Sequence, residues 1–585
     1  MNRTMRLICW TVVTVLLMGL LPVAAEGISG VFKGEGNGRG GVIKIELVLE
    51  NSAIKDIKVL EHSETPGFDS ALETMTKTAV SENTSTPDAV SGASLTSQGF
   101  IEAIADAMKK AGLTPDMLVG KDVVALERKD ISEDHQVIVI GAGGAGLIAA
   151  IKAKEKGAEV VVLEKMSFAG GNTLISGAEY AAPGNEIQKK EGIEDSADLL
   201  YGDVLKGGGK PELIRVLADK ALEGAEWLTN DPGVEWEDGL MFFGGHSVKR
   251  SLIPQGASGK EIITKLLKRV ESLGIPVMLN VKATELILMD GAVKGVKAEG
   301  LDADYTFNAK SVVIAAGGFG ASMDMLHKYA PDMIDVSLST NNTGATGDGM
   351  MIAEAAGAKL TDMEKVQLYP ICNTLTGALL YADDTRLYGS TIIVNKEGKR
   401  FVEELDTRYA ISMGILAQTG KVCYELWDET ATQSDKILVN HPAEIKDLIE
   451  TKQLVVADTL DEAAAFFGVD AEALKQTVAR FNGFVDGGKD LDFNKRGTLK
   501  KIETAPFYFM TAAPAVHHTM GGVDINPDTQ VLKADGFVIP GLYAAGEVTG
   551  GIHGNNRLGS AAITDITVFG GIAGERAADY AMAKE

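Results

Sequence analysis

The 585-residue chain has few cysteines, few aromatic residues and a deficit of positive charge. Three cysteines occur, Cys9, Cys372 and Cys423, and the sequence has no C-x-x-C-H stretch, which excludes an attached c-type haem. Lys and Arg number 56 against 81 Asp and Glu, and this net charge of −25 disfavours nucleic acid and anionic membranes as partners. We expect Cys372 and Cys423 to be isolated buried thiols, with a disulfide between them as the alternative.

The first 25 residues have the pattern of a secretory signal. A basic start, MNRTMR, precedes the apolar stretch LICWTVVTVLLMGLL, and the small-residue segment PVAA ends just before Glu26. The apolar stretch is shorter than the ~20 residues of a membrane span, and no later segment reaches that length. We therefore predict cleavage after Ala25 and a periplasmic or other extracytoplasmic location, with an uncleaved anchor as the alternative.

The rest of the chain predicts an α/β protein with many tight turns, since it contains 67 glycines. We expect a small α+β domain at residues 26–112, with two alternating strands joined at Asn51–Ser52 and helices around residues 71–80 and 97–111. The further predicted segments are a linker at 113–134, a Rossmann-like domain at 135–365 and 518–585, and an α+β capping domain inserted at 366–517.

A dinucleotide-binding fingerprint opens the Rossmann-like domain. The strand VIVI at residues 137–140 runs into Gly141, Gly143 and Gly146, and a second strand ends at Glu164, 23 residues after Gly141. This spacing places a pyrophosphate at a helix N-terminus and an acidic residue at a ribose hydroxyl. An ordinary βαβ turn is the structural alternative.

Further glycine turns at residues 170–173, 312–318, 344–349 and 541–551 indicate one long cofactor, FAD rather than NAD, contacted from both halves of the domain. We expect it to be bound non-covalently, and we predict no metal site. The residues predicted to bind FAD are Gly141, Gly143, Gly144, Ala145, Gly146, Glu164, Lys165, Gly171, Asn172, Thr173, Ala316, Gly317, Gly347, Asp348, Gly349, Gly546, Glu547, Arg557, Ala561 and Ile563.

Several segments together resemble the soluble fumarate reductase and flavocytochrome c family. They are GGNT, NTGATGDGM, VNKEGKRFVEE, ILAQTGK, VHHTMGGV and PGLYAAGEVTGGIHGNNRLG, and the likeness runs from about His135 to the C-terminus. The N-terminal unit resembles FMN-binding domains that a flavin transferase modifies. The resemblance implies a reductase of small unsaturated carboxylic acids that serves anaerobic respiration. Electrons would come from a membrane quinol dehydrogenase or cytochrome and pass through FMN to FAD.

The FMN attachment site is expected at DAVSGAS, residues 88–94. The family's motif is an Asp, two variable residues, then Ser or Thr, Gly, Ala, and Thr or Ser. The final hydroxyl forms the phosphoester to FMN, so the resemblance implies Ser94 as the covalent anchor, with Thr96 as the fallback. A serine-rich surface turn is the structural alternative.

By the same resemblance, Arg557 and His517 hold the substrate carboxylate, and His518 is an alternative to His517. A guanidinium fork suits a carboxylate geometrically. Apart from the resemblance, the two histidines could be structural residues of a strand.

Arg408 in ELDTRYA corresponds to the family's proton donor. Arginine releases a proton reluctantly, so a relay must refill it. The resemblance implies Asp383 and Arg386 in YADDTR as that relay. Without the resemblance, Arg408 would be interpreted as a surface salt-bridge residue.

The substrate is predicted from Tyr369, Asp384 and Phe243. Tyr369 in QLYP stands where the family's fumarate enzymes have a histidine, and a charge on Asp384 would repel a dicarboxylate. Asp384 could accept an N–H from an imidazole, and Phe243, with Phe242, could stack on it. The best fit is urocanate, an imidazole acrylate, giving imidazole propionate.

Other interpretations stay open. The substrate could be fumarate, methacrylate or a cinnamate-type arylacrylate. The protein could be a non-catalytic exported flavin electron carrier, or an enzyme running in the oxidative direction. As structural alternatives, Tyr369 packs in the core of the capping domain and Asp384 caps a helix.

Overall fold

The structure is a computed structural model that describes residues 27–38, 41–64, 69–87, 94–118, 128–301, 303–333 and 336–583. The predicted signal at residues 1–25 lies outside these residues. The chain divides into two compact units, Met1–Ala125 and Leu126–Glu585. Within the described ranges, every helix is too short or too polar to cross a membrane.

The first unit is an antiparallel sheet covered by two helices. Its strands are β1 (Gly30–Asn37), β2 (Val42–Glu50) and β3 (Ala53–Glu61), and its helices are α1 (Asp69–Glu82) and α2 (Ser94–Ala111), followed by a 3-10 turn at Pro115–Met117. Alternate side chains of β2, such as Ile43 and Ile45, are fully buried in one core with Phe100 of α2. The predicted strands β2 and β3 and both helices are confirmed.

Strand β1 was not predicted from the sequence, because glycines replace apolar residues on its inner face. A Cβ on Gly34 would lie 1.9 Å from the carbonyl oxygen of Ala103, and one on Gly36 would lie 2.1 Å from that of Gly99. These two glycines allow α2 to pack directly on the backbone of β1.

The second unit contains the remaining elements. Its strands are β4 (Lys129–Asp134), β5 (Val137–Ile140), β6 (Val160–Glu164), β7 (Tyr180–Ala181), β8 (Trp236–Met241), β9 (Ser251–Pro254), β10 (Val277–Leu279), β11 (Lys282–Met289), β12 (Ala292–Glu299), β13 (Ala303–Asn308), β14 (Ser311–Ile314), β15 (Leu360–Thr361), β16 (Val366–Cys372), β17 (Ile392–Val394), β18 (Cys423–Asp428), β19 (Leu454–Ala457), β20 (Phe507–Thr519), β21 (Gly522–Val523), β22 (Gln530–Leu532) and β23 (Val538–Ala544). Its helices are α3 (Gly144–Glu155), α4 (Gly171–Leu174), α5 (Glu186–Glu191), α6 (Ala197–Leu205), α7 (Pro211–Asn230), α8 (Lys260–Ser272), α9 (Met323–Tyr329), α10 (Asp348–Ala355), α11 (Asp384–Leu387), α12 (Arg408–Leu416), α13 (Glu429–Ser434), α14 (Ile437–Asn440), α15 (Pro442–Glu450), α16 (Leu460–Phe467), α17 (Ala471–Asp486) and α18 (Ala561–Met582).

A mostly parallel sheet forms the Rossmann-like part, with strand order β10-β6-β5-β14-β23-β22. The strands from β10 to β23 are parallel, and only β22 at the edge is antiparallel to its neighbour. Each residue of β5, β6 and β14 is buried, as expected for strands covered on both faces. The predicted α/β class with a Rossmann-like domain is confirmed.

The predicted linker at residues 113–134 is wrong at its end. Lys129–Asp134 forms β4, which pairs in parallel with β13 at the edge of a sheet ordered β11-β12-β13-β4. Its sequence, KDISED, is polar because this edge strand has no fully buried residue. The polar composition therefore reflects an exposed strand, not a linker.

The capping part is built on β20, which pairs with β16, β18 and β19. These strands and β17 lie between Val366 and Thr519, in the stretch for which the sequence predicts an inserted domain. Cys372 of β16 and Cys423 of β18 flank β20, and both are buried free thiols. The prediction of isolated thiols is confirmed, and the alternative of a disulfide is wrong.

Candidate active site

A cavity opens at the carboxyl ends of β5, β6 and β14. Ligands of open α/β sheets bind at this edge. The predicted FAD-binding residues that line the cavity are Gly141, Gly143, Gly144, Ala145, Glu164, Lys165, Gly171, Asn172, Thr173, Ala316, Gly317, Asp348, Gly349 and Glu547.

The glycines leave room for the backbone to contact a bulky ligand. A Cβ on Gly143 would meet nothing closer than an atom at 4.0 Å, and one on Gly317, which has φ +73°, would meet nothing within 4 Å. Gly143 begins α3 without a side-chain cap, so the amides of the first helical turn are left for an anion. The residues present therefore fit a dinucleotide with a pyrophosphate at α3.

Glu164 closes β6 and connects two turns. Its carboxylate accepts hydrogen bonds from the backbone N–H groups of Ala142 and Met166, both at 2.8 Å. Burial nevertheless dominates and raises the pKa of Glu164. Each carboxylate oxygen can accept one further hydrogen bond, for example from a ribose hydroxyl, which is the role predicted from the sequence.

Lys165 and Asp348 form an ion pair at this cavity. The Lys165 Nζ lies 2.6 Å from an oxygen of Asp348 and also donates to Thr346. Burial disfavours the Asp348 carboxylate, but the contact with Lys165 outweighs it and lowers the pKa of Asp348. Two residues predicted at the cofactor therefore hold each other in place.

Six predicted FAD residues do not line this cavity, and four of them, Gly146, Gly347, Gly546 and Ala561, do not line the neighbouring cavity either. A Cβ on Gly146 would lie 1.9 Å from the Gly141 carbonyl oxygen, so Gly146 serves the packing of α3 on the turn. Gly347 and Gly546 have φ of +78° and +77° and shape turns, and Ala561 is buried at the start of α18.

The other two, Arg557 and Ile563, line a second cavity. It shares Asn172, Thr173, Glu547 and Ile566 with the first, so the two form one continuous site. All the predicted substrate residues and Arg408 line it, namely Phe243, Tyr369, Asp384, Arg408, His517 and Arg557. Among the residues that the structure describes, no group of three or more His, Cys, Asp or Glu could hold a metal ion.

Two buried arginines face the second cavity without an acidic partner in hydrogen-bond contact among the described residues. Arg557 donates one hydrogen bond, to the Leu558 carbonyl at 3.2 Å, and its Nε has no partner. Arg408 donates to Gln367 at 3.3 Å and lies over the ring of Tyr369, with 4.7 Å between the guanidinium carbon and the ring centroid. Burial, followed by the charge of Arg408, lowers the pKa of Arg557 well below its usual value. The positive charges of Arg408 and Arg557 therefore favour the binding of an anion in this cavity.

His517 and His518 both line the cavity, but they differ in their contacts. The Nδ1 of His517 lies 2.8 Å from the Thr340 hydroxyl, and its ring is 5.0 Å from that of Tyr369. The Nδ1 of His518 has no hydrogen-bond partner within the described ranges, and its ring lies edge-on to His553 at 5.6 Å. Burial lowers the pKa of both histidines well below the usual value. Each is therefore a neutral hydrogen-bonding group at neutral pH.

The predicted relay residues form one buried network. Arg386 donates from Nε and Nη2 to the two oxygens of Asp383, at 2.5 and 2.6 Å, and from Nη1 to the Glu404 carbonyl at 2.7 Å. The Tyr369 hydroxyl also donates to Asp383, at 2.6 Å. Tyr369 is thus both packed in the capping core and exposed to the cavity, and its hydroxyl connects the cavity wall to Asp383.

Asp384 begins α11 and faces the cavity together with Glu179. Burial and then the charge of Glu179 raise the pKa of Asp384 well above its usual value. Burial also raises the pKa of Glu179, against the opposing charges of Arg408 and Arg557. The sequence prediction treated Asp384 as a fixed negative charge, whereas its surroundings favour the neutral acid until a cation or N–H donor binds.

Three residues of the site were missed from the sequence: Glu179 and Thr340, which line the cavity, and Gln367, which accepts a hydrogen bond from Arg408. Glu179 follows the GGNT turn by six residues, and Gln367 stands two residues before Tyr369, so both had a local signal. Phe243 is buried in the wall, 5.8 Å from the Arg408 guanidinium.

The predicted FMN anchor cannot be placed in the same detail. Residues 88–93 and the side chain of Ser94 lie outside the described residues, and the Ser94 backbone begins α2. Thr96 is fully buried, and its hydroxyl donates to Glu64 at 2.6 Å. This position disfavours Thr96 as an attachment point.

Comparison with known proteins identifies both flavin-binding parts of the chain. An FAD binding domain family matches residues 136–563, and an FMN-binding domain family matches residues 38–109. The chain is 42% identical over 567 residues to a urocanate reductase of Eggerthella lenta, which covers 95% of this chain and 93% of that protein.

The chain is also similar to fumarate reductases. The chain is 38% identical over 451 residues to a fumarate reductase (cytochrome) of Shewanella frigidimarina, covering 76% of this chain and 77% of the relative. The solved open conformation of a flavocytochrome c3 fumarate reductase matches with a TM-score of 0.65 at 38% identity, over 77% of this chain and 79% of that one.

Proposed function

Because this chain belongs to the soluble fumarate reductase and flavocytochrome c family of flavin oxidoreductases, with an FMN-binding domain at its N-terminus, we propose that it reduces the C=C bond of urocanate to give imidazole propionate. The observation that carries the proposal is the composition of the second cavity. Arg408 and Arg557, which form no ion pair with any described residue, share it with two carboxyls, Asp384 and Glu179. Urocanate offers a carboxylate to the first pair and ring nitrogens to the second.

Bound FAD, when reduced, supplies the hydride for the β-carbon of the acrylate. Arg557 and the neutral His517 hold the carboxylate and stabilise the negative charge that grows on it during the reaction. Arg408 donates the proton to the α-carbon. Burial is the main factor that lowers the pKa of Arg408, which makes the guanidinium a stronger acid than it is in water.

Asp384 and Glu179 determine which chemical group is favoured at the end of the substrate opposite the carboxylate. A neutral carboxyl donates a hydrogen bond to an imidazole nitrogen, and a carboxylate accepts one from a ring N–H or pairs with an imidazolium. A second substrate carboxylate, as in fumarate, would instead meet two acidic groups. An aryl ring would leave both carboxyls without partners, at a cost of about 1–3 kcal/mol.

Replacing Asp384 by alanine is expected to reduce kcat/KM for urocanate by about 10- to 100-fold and that for cinnamate by less than about threefold, since only the imidazole loses a partner. The measurement is steady-state oxidation of a reduced viologen dye by each acid. Glu364→Ala is the matched control, because Glu364 does not line this cavity. Equal losses on both acids would contradict imidazole recognition and favour another acrylate.

We further propose that the protein is exported, carries FMN covalently on Ser94 through a flavin transferase, and receives electrons from a membrane quinol dehydrogenase or cytochrome. The signal-like N-terminus and the DAVSGAS motif support this. Mass spectrometry of the protein from its native source is expected to find a mature N-terminus at Glu26 and an FMN-sized adduct on the peptide containing Ser94. The adduct should be absent from Ser94→Ala. An unmodified Ser94 peptide would contradict the attachment.

A further inference from the structure

Glu425 is a buried carboxyl next to the relay of Asp383 and Arg386, and the proposed reaction gives Glu425 no role. It lies on β18, paired with Ile393 of β17 and Met510 of β20, and its side chain is completely buried. Neither carboxyl oxygen accepts a hydrogen bond from a donor group in the part of the chain that the structure describes, and the carboxyl of Asp383 lies within hydrogen-bonding reach. A bare carboxylate in such a place is strongly unfavourable.

The charges around Glu425 do not balance. Its Oε1 lies 3.5 Å from the Nε of Arg386, but that Nε already donates to Asp383 at 2.5 Å. Lys495, another buried cation nearby, donates to the Thr391 carbonyl and lies 4.0 Å from the carboxylate of Glu404. Two carboxyls therefore share one guanidinium, which leaves one excess negative charge in a region without water contact. Uptake of one proton removes it.

The hydrogen bonds indicate which carboxyl holds that proton. Asp383 accepts two bonds from Arg386 and one from Tyr369, all of which stabilise its ionised form. Glu425 accepts none. Burial, and then the charge of Asp383, raises the pKa of Glu425 well above its usual value, which agrees with this assignment.

We propose that Glu425 stores the proton that refills Arg408 by way of Asp383. Once Arg408 has given a proton to the substrate α-carbon, the O–H bond of Glu425 breaks and a new O–H bond forms on Asp383. Asp383 delivers one proton to the neutral Arg408 side chain. The negative charge comes to rest on Glu425, which regains a proton from solvent.

Glu425 does not line the substrate cavity, so it acts only through Asp383. The sequence-predicted relay lacks a stored proton, because its two members are a carboxylate and an arginine already bonded to it. The inference rests on the proposed function, since it requires an olefin that takes a proton from Arg408.

Glu425→Gln is the direct test. The amide fills the same space and can donate an N–H to Asp383, but it cannot release a proton. We expect kcat for urocanate to fall about tenfold or more, while KM stays within about twofold. Glu425→Asp, which keeps an acid, is expected to recover part of the rate and remains informative if the glutamine variant folds poorly.

The pH dependence separates proton supply from structure. The wild-type kcat is expected to fall at high pH as Glu425 loses its proton, and this limb should disappear in Glu425→Gln. The titratable or charged groups nearest Glu425 are Asp383, Arg386, Lys495 and Cys423. None is changed by the substitution. A glutamine variant with the wild-type rate and the wild-type high-pH limb would overturn the proposal.

Glu404→Gln is the matched control. Glu404 is another fully buried carboxyl of the capping part, but it is paired with Arg400 at 2.7 Å. This variant is expected to lose stability and to keep the wild-type pH profile. Loss of the high-pH limb in Glu404→Gln as well would mean that any buried carboxyl change disturbs the relay, and would count against a specific role of Glu425.

A measurement without substrate distinguishes this inference from the proposed function. Infrared spectra of the flavin-loaded protein in H₂O and D₂O should show a protonated-carboxyl C=O band in wild type that Glu425→Gln lacks and Glu404→Gln retains. If wild type reduces no acrylate, the proposed function fails while this band still reports on Glu425. If the band that Glu425→Gln lacks is that of an ionised carboxylate, Glu425 holds no proton in the wild type. The inference then fails independently of the proposed function.

Discussion

Replacing Arg408 by alanine is expected to lower kcat for urocanate by about 10²–10⁴-fold, the usual contribution of a positioned proton donor. Arg408 lies on the first turn of α12 and lines the cavity, and its side chain donates a hydrogen bond to the neutral amide of Gln367. No acidic side chain in the described parts of the chain forms an ion pair with it, so its charge is directed at the ligand. Burial lowers its pKa, which favours proton release.

Arg408→Lys refines this test, because lysine keeps a charge and a dissociable proton but lacks the planar fork. We expect an activity between those of wild type and alanine. Stopped-flow oxidation of the reduced flavin by urocanate would measure the step, with flavin content as the control. An alanine variant that retains more than about a tenth of the wild-type kcat would mean that the proton comes from elsewhere.

The second large effect is expected at Arg557. Arg557→Lys should lower kcat/KM by roughly 10²–10³-fold, equivalent to about 3–4 kcal/mol, because a point charge replaces a fork that can hold both carboxylate oxygens. The unpartnered Nε and the single hydrogen bond to Leu558 leave most of the guanidinium available for a ligand. The same loss should occur with every acrylate, since all of them carry this carboxylate.

Arg400→Lys is the control for Arg557→Lys. Arg400 is a buried arginine of the capping part that pairs with Glu404 and Asp490 and does not line the cavity. Its substitution should lower the melting temperature and leave KM close to the wild-type value. The variant at Arg557 must also be checked for its FAD content. Normal kcat/KM in a flavin-loaded Arg557→Lys protein would exclude Arg557 as the carboxylate clamp.

Features that depend on local sequence were predictable. The turn from Gly141 to Gly146 follows from its spacing, because a strand, a glycine turn and a helix are all contiguous there. Strands β2 and β3 likewise follow from alternation of apolar residues. Arg408 and Arg557 could be placed in one site only through the family resemblance, since 149 positions separate them in the sequence.

Features that depend on packing between distant segments could not be predicted. Strand β4 is an exposed edge, so its residues carry no apolar alternation. Glu425 lies in a short apolar strand. Its role could not be predicted, because Arg386 and Asp383 come close to it from another segment of the chain. Glu179 joins the site because the turn before β7 borders the same cavity as α11.

Strand β20 ends at the substrate cavity and begins deep in the capping part. It starts at Phe507 beside β18 and β19, and His517 and His518 lie at its C-terminal end. Trp427 of β18 is fully buried and stacks on Tyr508 of β20, with 5.6 Å between the ring centroids. The strand that carries His517 and His518 is therefore anchored in the core of the capping part, far along the chain from the cavity that it borders.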